Sequence, residues 1–579
     1  MLDVEQIVAD SLPDGWLKRR FSGPLVAFLR RVLHEREFVD FGRRYPQAHG
    51  LEFVEQVLAY FDFRYRVSAE QLRHVPAAGR VVIVANHPIG SLDGLALVQM
   101  VRRLRADVKI VANQLLSKLK PLAPVLLPVD NMGGQTAKMQ LRAIRRHLKA
   151  EGAVLVFPAG VVSRWGWGGI RDGTWRGGFL KFSRAARAPV LPVHIQGRNS
   201  LFFYALSLVA RRLSTLWLVP EMFKLRGGQV RFSIGGIVPC KGYEKLGLRP
   251  PALAAAFRKQ VYAIGAGRAQ DLPLPTYAPL AAPVDRQALA DEIASAQRLG
   301  QTADGKQILL FDYRVDSPII AELGRLRELT FRTVEEGTGK ARDLDEYDQH
   351  YAHLLVWDGE AREIVGAYRV CDAAKTVPER GTAGLYSSRI YRYLDAMTPY
   401  FAQGLELGRS FVQPKYWNKR GLDYLWYGIG ALVRNNPGFR YLFGAVSLSD
   451  GLPQQAKELI VYFYATHFPP AEHLVEARYP YEVPVAECAK LARLFPGQDY
   501  TAEFARLKRQ LKRLGCTIPT LYKQYAELGE PGGVSICASG FDIGFSNALD
   551  GFLMVDIAKL KPAKYARYIA PPARGSETG

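Results

Sequence analysis

Short runs of apolar residues alternate with amphipathic patterns through the first half of the chain. Apolar positions at three-four spacing in "GPLVAFLRRVLHEREFVDF" (23–41) and "GLEFVEQVLAYFDF" (50–63) predict N-terminal helices. Beyond them, "VVIVAN" (81–86) is followed by the helical pattern "LDGLALVQMVRRLR" (92–105) and "VKIVAN" (108–113) by "QLLSKLK" (114–120). "GAVLVFPAG" (152–160) precedes a Gly/Trp-rich loop, "GFLKFSRAARA" (178–188) and "PVLPVHI" (189–195). Strand-helix alternation of this kind predicts an α/β domain with a mostly parallel sheet. After residue 287 the pattern changes. "RLRELTFR" (325–332) opens this half, and "AHLLVWD" (352–358), "EIVGAYRV" (363–370) and "LELGRSFVQ" (405–413) read as strands. A helix, "GLDYLWYGIGALVRN" (421–435), and a further strand, "YLFGAVSL" (441–448), follow. This order predicts an α+β domain.

Between the halves lies "DLPLPTYAPLAAPVDR" (271–286), whose four prolines predict a semi-extended, flexible linker. The expected domains are therefore 1–270 and 287–579, and a chain of 579 residues is long enough for two. Charge sharpens this division. The net charge is +22, and residues 101–280 carry all of the excess, with 29 Lys/Arg against 7 Asp/Glu. Such a basic segment attracts a polyanion. Within it, "RNSLFFYALSLVARRLSTLWLVPEMFKLR" (198–226) places two apolar runs between basic residues. Both runs fall short of the ~20 residues that span a bilayer. Two readings fit: a segment lying in the headgroup layer, or a core helix plus a buried strand with exposed arginines. Without a nucleic-acid-binding motif, an anionic membrane surface or an acidic protein suits the charge better than nucleic acid. The start lacks a secretory pattern, and the five scattered cysteines form neither a disulfide framework nor a zinc site. A reduced, cytoplasmic setting is expected, with no metal.

The candidate chemistry begins where "VVIVAN" ends. Ligands of α/β domains gather at the carboxyl ends of strands. Asn86 and His87 stand there, with Asp93 one short loop away. An imidazole takes a proton near neutral pH, and a neighbouring carboxylate fixes its tautomer. There is no G-x-S-x-G elbow nearby, so the pair suits activation of a substrate hydroxyl.

"NHPIGSLD" (86–93), "VFPAGVVSR" (156–164) and "APVLPVHIQG" (188–197) together resemble the glycerolipid and lysophospholipid acyltransferases over about 120 residues. The resemblance implies that His87 is the general base and Asp93 its partner, acting on an acyl thioester, with Asn86, Asn131, Pro158, Gly160 and Arg164 near the acceptor. This chain departs from the family in three ways. Five residues separate the histidine and aspartate instead of four; Ala159 replaces a glutamate, with the arginine of that block displaced to Arg164; and "LLPVDNMGG" (126–134) has Asn131 where an arginine is usual. In the family, that glutamate and arginine bind the acceptor's glycerol phosphate, so an acceptor without that phosphate is implied. Gly160 also fits a plain turn, and Pro192 the closing of a strand.

In the second half, "YDQHYAHLLVWD" (347–358), "IVGAYRV", "LELGRSFVQP", "YLFGAVSL" and "PTLYKQYAELGE" resemble the acyl-homoserine lactone synthases and, more closely, the ornithine lipid N-acyltransferases, both built on the GNAT fold. That resemblance makes Glu406 the candidate base for an amino acid's ammonium group. It also implies that Arg327, Arg369 and Arg409 shape the site with Phe331 and through ion pairs with Asp345 and Asp348. The whole chain is similar to the bifunctional ornithine lipid synthases. This implies N-acylation of ornithine by a 3-hydroxyacyl carrier protein in the C-terminal domain, then O-acylation of the lyso-ornithine lipid in the N-terminal one. The acyl donor implied is the phosphopantetheine thioester of acyl carrier protein, with no bound cofactor, at the inner face of a bacterial membrane. Two other readings fit the same residues. One is a lysophosphatidate acyltransferase fused to an N-acyl amino acid synthase for glycine or glutamine. The other is a non-catalytic membrane-associated scaffold.

Overall fold

The structure, a computed structural model, describes residues 30–570 apart from 91, 114–118, 130–134, 211–213, 216, 418–420, 450 and 546. It divides into two compact units, Met1–Pro279 and Leu280–Gly579.

In the first unit, strands β1 (Arg64–Arg66), β2 (Val81–Ala85), β3 (Val108–Asn113), β4 (Leu126–Val129), β5 (Ala153–Val156), β8 (Val190–Gln196) and β9 (Gln229–Ile234) form one sheet, ordered β1-β9-β8-β2-β5-β3-β4. All neighbours run parallel except β8 and β9. Two short strands between β5 and β8, β6 (Arg164–Gly166) and β7 (Gly169–Arg171), form a separate antiparallel ribbon. All five residues of β2 are buried because both faces of the sheet are covered. Val81, Ile83 and Ala85 enter one core, with helix Leu92–Arg102, and Val82 and Val84 enter the opposite one, with helices Gly178–Ala186 and Pro250–Gly265. The acyltransferase-like α/β sheet expected from the sequence is therefore present, with helices Glu35–Arg44 and Gly50–Tyr60 before it.

Several local readings change. The segment 198–226 contains no strand among its described residues: it forms helices Leu201–Val209 and Leu218–Lys224. The first buries Phe203, Tyr204 and Ser207 and leaves Leu201, Leu208 and Val209 largely in solvent. Pro192 lies inside β8, beyond the end of the β9 ladder, where its carbonyl accepts from Gly235 N–H at 3.0 Å. The linker is not free over its whole length. Leu274 is buried, and its N–H donates to Gln260 Oε1 at 2.9 Å, while Tyr277 N–H donates to the Ile237 carbonyl at 2.8 Å. An apolar residue with a core to enter and backbone groups with partners hold that stretch on the first unit. The helix expected at 114–120 falls largely outside the described residues.

The second unit is built on an eight-stranded sheet. Its strands are β10 (Gln297–Gln301), β11 (Gln307–Asp312), β12 (Ala352–Asp358), β13 (Glu363–Asp372), β15 (Gly404–Val412), β16 (Tyr441–Leu448), β18 (Val534–Asp542) and β19 (Ala548–Asp556). Their order is β10-β11-β12-β13-β15-β16-β19-β18, and β14 (Tyr391–Tyr393) pairs apart with β17 (Val475–Ala477). All neighbours in the large sheet are antiparallel except β15 and β16. These two pair only from Gly404↔Tyr441 to Glu406↔Phe443 and then separate. Gly444 stands at the parting point with φ +159°, and a Cβ there would lie 2.2 Å from the Leu407 carbonyl oxygen. Against β13, β15 carries one extra residue, and Arg409 takes a left-handed φ of +48°, as at a β-bulge. The bulge re-aims the arginine. This is the mixed sheet of the GNAT-type fold expected for the second half.

Candidate active sites

His87 stands just past the end of β2, with its side chain largely buried. Its Nδ1 is 3.1 Å from Asp93 Oδ2, which leaves Nε2 as the free ring nitrogen. Asp93 opens helix Leu92–Arg102 and has no exposed surface. Its Oδ2 also accepts from Ile89 N–H at 2.9 Å, and Oδ1 accepts from Gly90 and Gly94 N–H at 3.2 and 2.9 Å. The loop between the two residues thus wraps onto the carboxylate, which absorbs the extra residue in the spacing. Gly90, at φ +121°, permits that wrap. Burial opposes both charges. The ion pair outweighs it, raising the His87 pKa above 6.5 and holding the Asp93 carboxyl below its usual range. Phe157 stacks on the imidazole at 4.0 Å between ring centres.

A second carboxylate, unmarked by any sequence spacing, sits behind the histidine. Asp172 Oδ1 accepts from His87 N–H at 3.2 Å and from Ser163 Oγ at 2.6 Å, and Oδ2 accepts from Trp175 Nε1 at 2.9 Å. Burial pushes its carboxyl pKa up, and its charge in turn favours the imidazolium of His87. Asn86 is committed to the scaffold. Its amide nitrogen donates to the Ile195 carbonyl at 2.9 Å and its oxygen accepts from Ile195 N–H at 2.7 Å, fastening β2 to β8 beside the histidine. Pro158 and Gly160 form a turn after β5, with Gly160 N–H on the Phe157 carbonyl at 3.0 Å and Gly160 itself at φ +68°. Arg164 lies on the Phe203 ring at 5.2 Å and donates to Ser214 Oγ. Ala159 is buried. Asn131 lies outside the described residues.

In the second unit a cavity of about 120 Å³ opens where β15 and β16 part. Four of the expected residues line it: Phe331, Arg369, Glu406 and Arg409. The other three stand behind it. Asp345 and Asp348 form a reciprocal capping box on the turn Glu346–Gln349 and bind the arginines. Arg327 Nη1 donates to Asp348 Oδ1 at 2.6 Å and lies 3.1 Å from His353 Nδ1 through Nη2. Arg369 Nη1 donates to Asp345 Oδ1 at 2.5 Å, and Arg409 Nη2 to Asp345 Oδ2 at 3.2 Å. Burial works against the charge on Asp348, but Arg327 and Arg369 hold its carboxyl far below the usual range. His353 is pushed down to about 3 by burial and by Arg327, so it is the neutral member of the network.

Glu406, on β15, is buried and already accepts four hydrogen bonds. Ser387 N–H (2.7 Å) and Ser387 Oγ bind Oε1; Tyr386 N–H (3.1 Å) and Tyr351 OH bind Oε2. All the lone-pair directions of the carboxylate are used. The Tyr351 oxygen accepts from Tyr386 N–H at 2.7 Å and keeps one lone pair. At the other end of the cavity are Asp542 and Asp550, both buried and in no ion pair among the described residues. Asp542 accepts from Tyr386 OH at 2.6 Å and from Phe545 N–H at 3.0 Å. Asp550 Oδ1 has no hydrogen-bond partner, and burial, reinforced by Asp542, pushes its carboxyl well up. Arg369 Nε and Nη2 likewise lack hydrogen-bond partners. The cavity therefore offers unused donors and an unused carboxyl oxygen to one small ligand.

Comparison with known proteins finds a different acyltransferase family in each half of the chain. The Acyltransferase family model matches residues 6–261, and the Acetyltransferase (GNAT) domain model matches residues 326–427. A glycine N(alpha)-acyltransferase of Bacteroides thetaiotaomicron is 34% identical over 259 residues, 42% of this chain and 77% of the relative. A lyso-glycine lipid O-acyltransferase of the same organism is 31% identical over 268 residues, 45% of this chain and 96% of the relative. An L-ornithine N(alpha)-acyltransferase of Rhizobium meliloti is 33% identical over 136 residues, 22% of this chain and 45% of the relative.

Proposed function

We propose a two-step lipid synthesis for this chain, which belongs to the acyltransferases and carries an Acyltransferase-family unit followed by a GNAT N-acyltransferase unit. In the first step, the C-terminal unit transfers a 3-hydroxyacyl group from the phosphopantetheine thioester of acyl carrier protein to the α-amine of ornithine. The ammonium gives one proton to the Tyr351 oxygen as the Tyr351 hydroxyl passes its own to Glu406. The amine then attacks the thioester carbon, the C–N bond forms and the C–S bond breaks, and the thiolate takes up the amine's remaining surplus proton. In the second step, the N-terminal unit O-acylates the 3-hydroxyl. His87 Nε2 removes the hydroxyl proton, Asp93 stabilises the imidazolium, the alkoxide attacks a second acyl thioester, and His87 returns the proton to the departing sulfur. Ala159 in place of an acceptor-binding glutamate suits a lyso-lipid without glycerol phosphate.

The observation that favours ornithine over glycine is the acidic end of the cavity. Glycine has no side chain to meet Asp550 and Asp542. A diamino acid brings a second ammonium, which satisfies the unpartnered Asp550 oxygen in a buried site where an unpaired acceptor is costly. The free donors of Arg369 suit the α-carboxylate. On this reading, Asp550→Asn raises the KM for ornithine by tenfold or more and leaves that for glycine unchanged. A wild-type enzyme that prefers glycine in the same steady-state assay refutes the ornithine assignment.

The two-step reading is tested by expressing the full chain in a bacterial host devoid of aminolipids and profiling the lipids by mass spectrometry. A diacylated ornithine lipid is expected. New phosphatidic acid with no aminolipid would return the N-terminal unit to phospholipid synthesis. We place the enzyme at the cytoplasmic face of the membrane as a peripheral protein. No helix among the described residues is long and apolar enough to cross a bilayer, and the basic excess of residues 101–280 suits both anionic lipid and acidic carrier protein.

A further inference from the structure

We infer that the ribbon formed by β6 and β7 inserts into an anionic lipid surface and sets the mouth of the His87 site at the bilayer. Trp165 is 54% exposed on this ribbon, and Trp167 at its tip is fully exposed. The ribbon joins no other sheet, so neither indole has a core to enter. Beside it lies helix Leu201–Val209, joined through Arg164 on the Phe203 ring at 5.2 Å. The outer side of that helix exposes Leu201, Phe202, Leu208 and Val209. Tryptophan settles where an apolar body and a polar N–H both find partners, at the boundary of headgroups and acyl chains.

Charge selects the occupant. Lys224 Nζ lies 5.8 Å from the Phe202 ring centre, and Arg171 is exposed at the end of the ribbon. The segment 101–280, which holds both elements, carries the whole basic excess of the chain. Exposed apolar side chains with cations at their margin match an anionic monolayer, in which indoles enter the acyl boundary and cations meet phosphates.

The link to catalysis runs through the two ends of the ribbon. Just before it, Ser163 N–H donates to the His87 carbonyl at 2.7 Å. Just after it, Asp172 accepts from His87 N–H, and Ser163 Oγ closes the pair onto Asp172 at 2.6 Å. The segment therefore leaves from His87 and returns to it. Tyr262 OH accepts from Asp172 N–H at 2.7 Å, and Arg258 donates to its carbonyl, which fixes the root while the tip projects. A lipid acceptor then reaches His87 directly from the bilayer, without passing through water.

This inference rests on the lipid-acceptor reading of the His87 site. Its first test needs no substrate, so the two can fail separately. The full chain is mixed with vesicles of phosphatidylglycerol and phosphatidylcholine, or of phosphatidylcholine alone, and binding is measured by sedimentation. Indole depth is read by quenching with brominated lipid. Wild-type protein should bind the anionic vesicles at least tenfold better than the neutral ones. Trp165→Ser with Trp167→Ser should lower anionic binding by at least tenfold and remove the quenched component. Both side chains are exposed, so the fold is expected to persist and circular dichroism checks it. The double variant should keep kcat on a short-chain acceptor dissolved as monomers and lose tenfold or more on the same headgroup embedded in vesicles. Unchanged vesicle binding in the double variant overturns the inference. So does loss of carrier-protein binding or of self-association with vesicle binding intact, either of which would assign the surface to a protein.

Discussion

Replacing His87 by alanine is expected to lower O-acyl transfer by about 10²- to 10⁴-fold while N-acylation proceeds unchanged, so that the monoacylated amino acid accumulates. The imidazole stands at the end of β2, with Nδ1 on Asp93 and Nε2 left for the substrate proton. Its removal takes away the proton acceptor without disturbing Asp93, which three backbone N–H groups still hold. The measurement is a thioester-consumption assay with the lyso-lipid supplied, beside a mass-spectrometric count of mono- and diacylated product. Undiminished O-acylation would dismiss His87 as the base. The pH profile adds an independent check. A base works in its neutral form, and Asp93 raises the His87 pKa above 6.5, so the acid limb of the profile should lie above that value. Asp93→Asn removes the raising charge. It should move the limb to lower pH and also reduce the plateau, because the imidazolium loses its stabilising partner.

The complementary loss is expected from Glu406→Gln. N-acylation should fall by about 10²- to 10⁴-fold, while a supplied lyso-lipid is still O-acylated at the wild-type rate. Glutamine nearly matches the volume but puts a donor where Ser387, Tyr386 and Tyr351 already point theirs. Alanine is the poorer test: it would leave the buried Ser387 N–H and Tyr351 hydroxyl without their acceptor, at about 1–3 kcal/mol each. Tyr351→Phe then separates the relay from the carboxylate. It removes the hydroxyl through which the ammonium proton reaches Glu406, and it too should abolish most N-acylation. A Tyr351→Phe enzyme with wild-type kcat would exclude the relay and leave the phenol as packing. Supplying the lyso-lipid distinguishes a chemical defect in one unit from global unfolding.

Both effects concern residues singled out in the sequence, but the structure changes how they act. Glu406 stands out in "LELGR" through the resemblance, which names it as a base and says nothing of its hydrogen-bond partners. Tyr351 and the adjacent pair Tyr386 and Ser387 come from two other places in the chain and occupy every lone pair. Asp345 and Asp348 have the three-residue spacing of a capping box, which is local and readable. Their ion pairs with Arg369 on β13 and Arg409 on β15 were implied by the resemblance, and the order of the sheet is what physically brings these residues together.

By itself the sequence determined the central strands β2, β3, β5 and β8 of the first sheet and β12, β13, β15 and β16 of the second, the two-unit organisation, the basic segment and the His87–Asp93 pair. Each is encoded locally. Burial on both faces demands an unbroken apolar run, and two residues six apart meet across one short turn whatever the rest of the chain does. Tertiary structure alone decided the remainder. Asp172 lies 85 residues from His87 and Ile195 lies 109 residues from Asn86, and they meet only because β8 and the loop after β7 return to the end of β2. The acidic end of the second cavity combines β18 and β19 with a β15 strand more than a hundred residues earlier. The sequence marks the tryptophans of the ribbon only as part of a Gly/Trp-rich loop, and the fold decides that they stand exposed on a ribbon. Side-chain chemistry is written residue by residue, but which groups face one another depends on strand order and packing, which no short window of sequence contains.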